Sequence, residues 1–280
     1  MSQRNLQIAV VSVSVLLFAF LYFGGRTTPK SRSDIEKTRA LQAESSTSID
    51  MIISSAKADL TKEQLVNIVE IESGLPLQLT DSLRAESYKG LSREWNSLSR
   101  FDIGGIYAQK VAEIFDTEES WSITGTTFGM GQKNAADEKV RTFCVEQAVT
   151  AFNKAIELNP DEVQHKINLA LVYVETSQPM QGISMLRDLA NKNPKNTSVL
   201  LALGQLSVRS GQYDKAIERY QEVVTIEANN LRAYYALAQL YQSLGRTEDA
   251  VKAYNKCLEI SDDDKFKSDI QQNIKKLKSN

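Results

Sequence analysis

The same residues return every 34 positions along the second half of the chain. Gly211 and Gly245 are separated by that interval, as are Leu203 and Leu237, Ala216 and Ala250, and Tyr220 and Tyr254. Pro160 and Pro194 follow the same interval, although the chain has only five prolines. A fixed period of this length means that one supersecondary unit is built repeatedly, and that no copy buries its apolar face alone. Stability must then come from stacking. The 280 residues are 42% apolar and 24% charged, ordinary globular usage that rules out disorder or a fibrous repeat.

Within the period the residue sizes are ordered. One unit carries Tyr234, Leu237, Ala238, Tyr241, Ala250, Tyr254, Cys257 and Asp262. The unit before it carries Leu200, Leu203, Gly204, Ser207, Ala216, Tyr220, Val223 and Ala228, and the one before that Lys166, Leu169, Ala170, Tyr173, Gly182, Leu186, Leu189 and Pro194. This pattern resembles the tetratricopeptide-repeat (TPR) family, in which each unit is a helix–turn–helix. The resemblance implies an all-α, right-handed solenoid. Small residues such as Ala238 and Ala250 let the two helices of a unit approach, and large ones such as Tyr234 and Tyr254 fill the space toward the next. Proline or a turn former stops the second helix.

Two weaker units precede these. Trp121, Thr124, Gly125 and Phe128 fit a first helix, and Ala148, Phe152, Ala155 and Pro160 its second. About 11 extra residues lie between them, around Lys133 to Gln147, and are expected to lengthen a helix or its turn. Earlier still, Tyr88, Leu91, Ser92 and Trp95, then Gly104, Ala108 and Val111, fit a more degenerate unit. After the last unit, Phe266, Ile270, Ile274 and Leu277 share one face of a lysine-rich stretch, which predicts a capping helix. The repeat solenoid is therefore expected over 85–264, in about five units with the insertion within 118–162, and the cap over 265–280.

The N-terminus reads differently. Leu6 to Gly25 holds twenty residues without a charge, enough to cross a hydrocarbon core of about 30 Å. Its end is rich in Phe and Tyr, which suits the interface. The residues near Gly24 do not make a small-residue cleavage site, and no cysteine follows for lipidation, so the segment is expected to remain as a transmembrane anchor over 1–25. Arg26, Lys30 and Arg32 behind it favour the C-flank inside by charge, whereas a short N-tail before a long domain favours a signal anchor. The second argument places the repeats outside the cytoplasm, as in a bacterial inner-membrane protein. Residues 26–84 read as a linker and helical spacer. Ser33 with Glu36 and Thr61 with Gln64 form capping boxes, and the second opens a helix that Ser73 to Pro76 breaks.

Composition narrows the chemistry. Thirty-three basic against 35 acidic side chains give a net charge of −2, which argues against nucleic acid as partner. The single histidine, His165, and the two cysteines, Cys144 and Cys257, supply no triad, zinc set or CxxC pair. His165 reads as a surface histidine and Cys257 as a packed thiol. The glycines from Gly125 to Gly131 miss the phosphate-loop spacing and read as packing glycines. Asp262 to Asp264 reads as the acidic start of a helix. No catalysis, cofactor or metal is expected.

In the TPR family ligands lie against the first helix of each unit. Carried onto this chain, that implies a peptide groove of Ile167, Leu171, Leu201, Gln205, Arg209, Arg232, Tyr235 and Gln239. Glu175 faces the same way. Apolar Ile167, Leu171, Leu201 and Tyr235, edged by arginines and glutamines, suit an extended or helical peptide with hydrophobic anchors. The expected function is that of a membrane-anchored interaction scaffold, a co-chaperone or an assembly factor, with another protein as partner. The alternative is a cytoplasm-facing receptor or the targeting subunit of an enzyme complex.

Overall fold

The computed structural model describes residues 49–75 and 80–279. The chain divides into two compact units, Met1–Thr61 and Lys62–Asn280. Of the first, residues 49–58 are helical. The apolar run Leu6–Gly25, the linker behind it and the capping box at Ser33 lie outside the described residues. No helix among the described residues is long and apolar enough to cross a membrane.

Among its described residues the second unit is helical without strands. Its helices are α1 (Lys62–Ser73), α2 (Asp81–Ser97), α3 (Phe101–Phe115), α4 (Glu118–Asn134), α5 (Glu138–Leu158), α6 (Val163–Val174), α7 (Pro179–Lys192), α8 (Thr197–Arg209), α9 (Tyr213–Ile226), α10 (Leu231–Ser243), α11 (Thr247–Ile260) and α12 (Asp264–Ser279). They pack as successive pairs, α2 with α3, α4 with α5, α6 with α7, α8 with α9 and α10 with α11. Each pair rests on the next, and α12 closes the end against α11. Residues of the period and of its degenerate copies fall on all five pairs. α1 packs on α2, and the Tyr107 hydroxyl donates to Glu72 Oε1 at 3.1 Å.

Local chemistry sets the boundaries. Asn196 and Asn230 start α8 and α10 by accepting from the amides of Val199 and Ala233 at 3.0 and 2.9 Å. Thr117 and Ser120 form a capping box at α4. Asp263 accepts from the Phe266 amide at 3.0 Å, so the acidic run does start α12. Gly211 and Gly245, one period apart, follow α8 and α10 with φ of +71° and +69°, a left-handed turn that glycine takes without a Cβ penalty.

Within a pair the helices touch at the small residues. A Cβ on Gly182 of α7 would stand 2.1 Å from the Ala170 carbonyl oxygen of α6. One on Gly204 of α8 would stand 2.4 Å from the Tyr220 ring of α9, and one on Gly125 of α4 2.9 Å from the Phe152 ring of α5. Gly125 is thus a packing glycine. The large residues of the pattern fill the core: Leu200, Leu237, Tyr241, Tyr220 and Tyr254 join in one buried cluster. Ile270 of α12 completes it, with Phe266, Ile274 and Leu277 half-buried beside it.

The extra residues are helical except for 135–137, which join the two helices. α4 has 17 residues against 12 or 13 in α6, α8 and α10, and α5 has 21 against 14 in α7, α9 and α11. Each longer arm buries one side: Cys144 sits on Gly131, and Gln132 donates to the Val172 carbonyl at 3.2 Å.

Two glycine substitutions of opposite sign test this packing. Gly182→Ala meets backbone and forces α6 and α7 apart, at a cost of about 1–3 kcal/mol. Gly90→Ala in α2 meets only the Ile71 side chain, at an ordinary 3.7 Å, and is expected to stabilise by roughly 0.5–1 kcal/mol. Urea midpoints of the full-length protein should move down for the first and up for the second.

Candidate functional site

First-helix residues spaced by four fall on one face, since 3.6 residues make a turn. On α8 these are Leu201, Gln205 and Arg209, and on α10 Tyr235 and Gln239, with Arg232 a turn earlier. All six line one depression of about 510 Å³, whose wall includes Tyr220 of α9. Tyr235 is held in place from behind: its ring lies 6.3 Å from that of Tyr254 and 5.6 Å from that of Phe266, both tilted by about 60°. Burial pushes the Tyr220 phenol up, and the nearby Arg232 guanidinium opposes this. That places a cation at the apolar floor.

Arg209 is committed to a partner. Its guanidinium grips the Glu175 carboxylate through both oxygens, with Nη2 to Oε2 at 3.1 Å. The two residues occupy the same place in consecutive units, so the pair bridges α8 to the end of α6. Arg209 therefore edges the depression as half of a neutral pair, whereas Arg232 has no carboxylate partner among the described residues. Hydrogen bonding from Arg209 holds the Glu175 carboxyl below the usual carboxylate range, with Lys133 adding attraction.

The other two predicted groove residues lie elsewhere. Ile167 is only 2% exposed and packs with Ala170, Leu186, Val199 and Leu203 in the core between units. It belongs to the stack. Leu171 is half-buried on the edge of that core and lines a neighbouring depression of about 160 Å³ with Met130, Lys133 and Asn168. Leu201 lines the groove but is itself 8% exposed, so it forms floor more than contact surface.

His165 also departs from its expected surface place. It is 6% exposed, its two ring nitrogens have no hydrogen-bond partner, and Nε2 stands 3.6 Å from Glu118 Oε2 on α4. It lines a third depression, of about 630 Å³, between α4 and α6. The register that gave the α8 and α10 faces, applied from Trp121, gives Glu119, Ser122, Thr126 and Met130 on α4. All four line this third depression. That is the signal the sequence offered and the three-unit groove left out.

Cys144 and Cys257 are free, buried thiols. Burial pushes Cys144 up to about 12 and Cys257 to about 11, so neither is a thiolate at neutral pH. Among the described residues no group of His, Cys, Asp or Glu is placed to hold a metal.

The ion pair yields a signed expectation. A depressed Glu175 pKa contributes stability above the unfolded value of about 4.3 and loses it as pH falls through the folded one. Arg209→Ala should move the Glu175 carboxyl upward, because the hydrogen bonds that lower it are lost, read by carbon-detected NMR titration. It should cost no more than about 1 kcal/mol at pH 7, because the guanidinium is half exposed. The difference between wild type and variant should vanish in strong acid.

Residues 140–230 match the family model described as the cytochrome c-type biogenesis protein H TPR domain, and residues 207–267 match a tetratricopeptide-repeat model. No curated protein matches the chain. Among solved structures, the chain is similar to a thermophilic TPR protein of Thermus thermophilus, at 20% identity over 69% of this chain and 98% of that one, TM-score 0.48. It is also similar to YrrB, a TPR protein with an unusual peptide-binding site, at 17% identity over 67% and 92%, TM-score 0.39. A third is MamA, at 20% identity over 60% and 93%, TM-score 0.39. Across residues 140–267, then, the sequence matches tetratricopeptide-repeat models, and the helix pairs found there are those that the 34-residue period marks.

Proposed function

We propose that this protein is a non-enzymatic, membrane-anchored scaffold, a co-chaperone or assembly factor, that takes a segment of a partner protein into the groove between α8 and α10. The observation that carries the reading is the convergence of six first-helix side chains on one depression. Tyr235 and Leu201 supply an apolar floor, Gln205 and Gln239 supply amide donors and acceptors for a backbone, and Arg232 supplies a cation for an acidic group. The match of residues 140–230 to a domain of a cytochrome c-type biogenesis protein favours the assembly-factor form of the reading. In this form Leu6–Gly25 tethers the chain to the bacterial inner membrane, with the repeats on the extracytoplasmic side.

The test uses exposed residues, because Leu201 and Ile167 cannot be changed without disturbing the core. Arg232 and Gln239 are exposed and line the groove. Arg232→Glu with Gln239→Ala should cost roughly 1–3 kcal/mol of binding, the range of an interface anchor. Crosslinking pull-down from native membranes should show partner recovery falling accordingly, with unchanged helical circular dichroism. Full recovery by the folded double variant would contradict the reading.

The tether has its own check. The protein should stay in the membrane fraction after an alkaline carbonate wash and keep its first residues on N-terminal sequencing. Release into the wash, or a start beyond Gly25, would remove the anchor from the account.

A further inference from the structure

The depression between α4 and α6 has a different chemistry from the groove between α8 and α10. Three carboxylates line it, Glu118 and Glu119 from α4 and Glu162 at the start of α6. No lysine or arginine lines it, and among the described residues none comes within ion-pair distance of these three. Lys89 and Arg93 of α2 line the adjoining depression, and Lys166, four residues after Glu162, gives its ammonium to the Pro160 carbonyl. Glu118 Oε2 is buried without a donor. His165, more than nine-tenths buried, lines the same space with both ring nitrogens unpartnered, and 3.6 Å is too long for a hydrogen bond to Glu118. Buried polar atoms are almost always paired, and groups left bare around one opening point to a ligand that pairs them.

The walls add a second requirement. Ile123 and Met130 line the depression and are 54% and 45% exposed, so its wall carries apolar surface open to a ligand. Carboxylates at one end of an apolar wall match a side chain with an aliphatic stem and a cationic, donor-rich head. We infer that the depression between α4 and α6 receives a lysine or arginine side chain of the docked partner segment, its head between Glu118 and Glu162 beside His165 and its stem along Ile123, with Met130 further along the same wall left to the segment's next apolar side chain.

This inference rests on the groove proposed above and extends it. Thr126 and Met130 line both this depression and the one that holds Leu171. From there Lys133 acts on Glu175, which grips Arg209 at the edge of the α8–α10 groove. The surface thus runs on from a carboxylate-lined end at α4 to the Arg232 end at α10. A segment with a base toward one end and an acid toward the other fits it in one direction only.

The experiment selects peptides from a random displayed library on the full-length protein, and measures the winners by fluorescence anisotropy. Wild type should select peptides with a lysine or arginine at a constant distance from an apolar anchor. Replacing that base by norleucine should weaken binding at least tenfold. The Glu118→Gln/Glu162→Gln protein, whose amides keep the shape and the acceptor that caps α6, should show the same loss and no further effect of norleucine. Two results would overturn the inference: peptides that depend on Arg232 but carry no fixed base, or a base whose norleucine replacement changes nothing. Recovery of no peptide that depends on Arg232 or Gln239 would overturn the groove itself, and this inference with it.

Discussion

Everything in the second unit depends on how closely two helices of a pair can approach. At Gly182, Gly204 and Gly125 the neighbouring helix occupies the space where a Cβ would stand. Ala216 and Ala250 are completely buried at the corresponding place of later units. Interiors pack to crystal-like density, so a side chain added at such a contact has nowhere to go. The contact also fixes which faces remain. Once the small residues are turned inward and the large ones fill the space between pairs, the outer stripe of each first helix is what the stack can offer to a partner.

That stripe is polar and charged in an ordered way. Glu175 and Arg209 neutralise each other across consecutive units and brace the stack at the rim. Among the described residues no lysine or arginine pairs with the carboxylates Glu118, Glu119 and Glu162 on one side, and no carboxylate pairs with Arg232 on the other. Hydrophobic contact gives a groove affinity, but opposite charges at its ends give register and direction, because the reversed segment meets like charge. Tyr235, braced by Tyr254 and the capping helix, is presented as a rigid ring, which lowers the cost of ordering on binding.

The sequence made the pairs legible because their spacing constraint is strict. Gly211 and Gly245 must be one period apart for the turns to match, and the cap reads from Phe266, Ile270, Ile274 and Leu277 alone. The site was legible only in part. Register shows which way a residue leaves the helix, but it does not show how deep the next unit sits, and so Ile167 reads as groove and is core. His165 is a lone polar residue whose burial depends on α4, a helix well upstream in sequence. The Glu175–Arg209 pair was present in the pattern as two groove positions one period apart, yet opposite charges in register become a bond only when the units stack at the right distance. The extra residues around 133–147 read as a longer helix or a longer turn, and only the burial of Gln132 and Cys144 shows that both arms are lengthened.

The central claim is that the first-helix face receives the partner, and site-specific photocrosslinking in cells tests it most directly. A benzophenone amino acid at Gln205, Thr126 or Gln239 should give the same partner adduct from each position. The same group at Glu218, Glu222 or Lys252, all exposed on second helices, should give none. Adducts that form from α9 and α11 but not from α4, α8 and α10 would contradict the account.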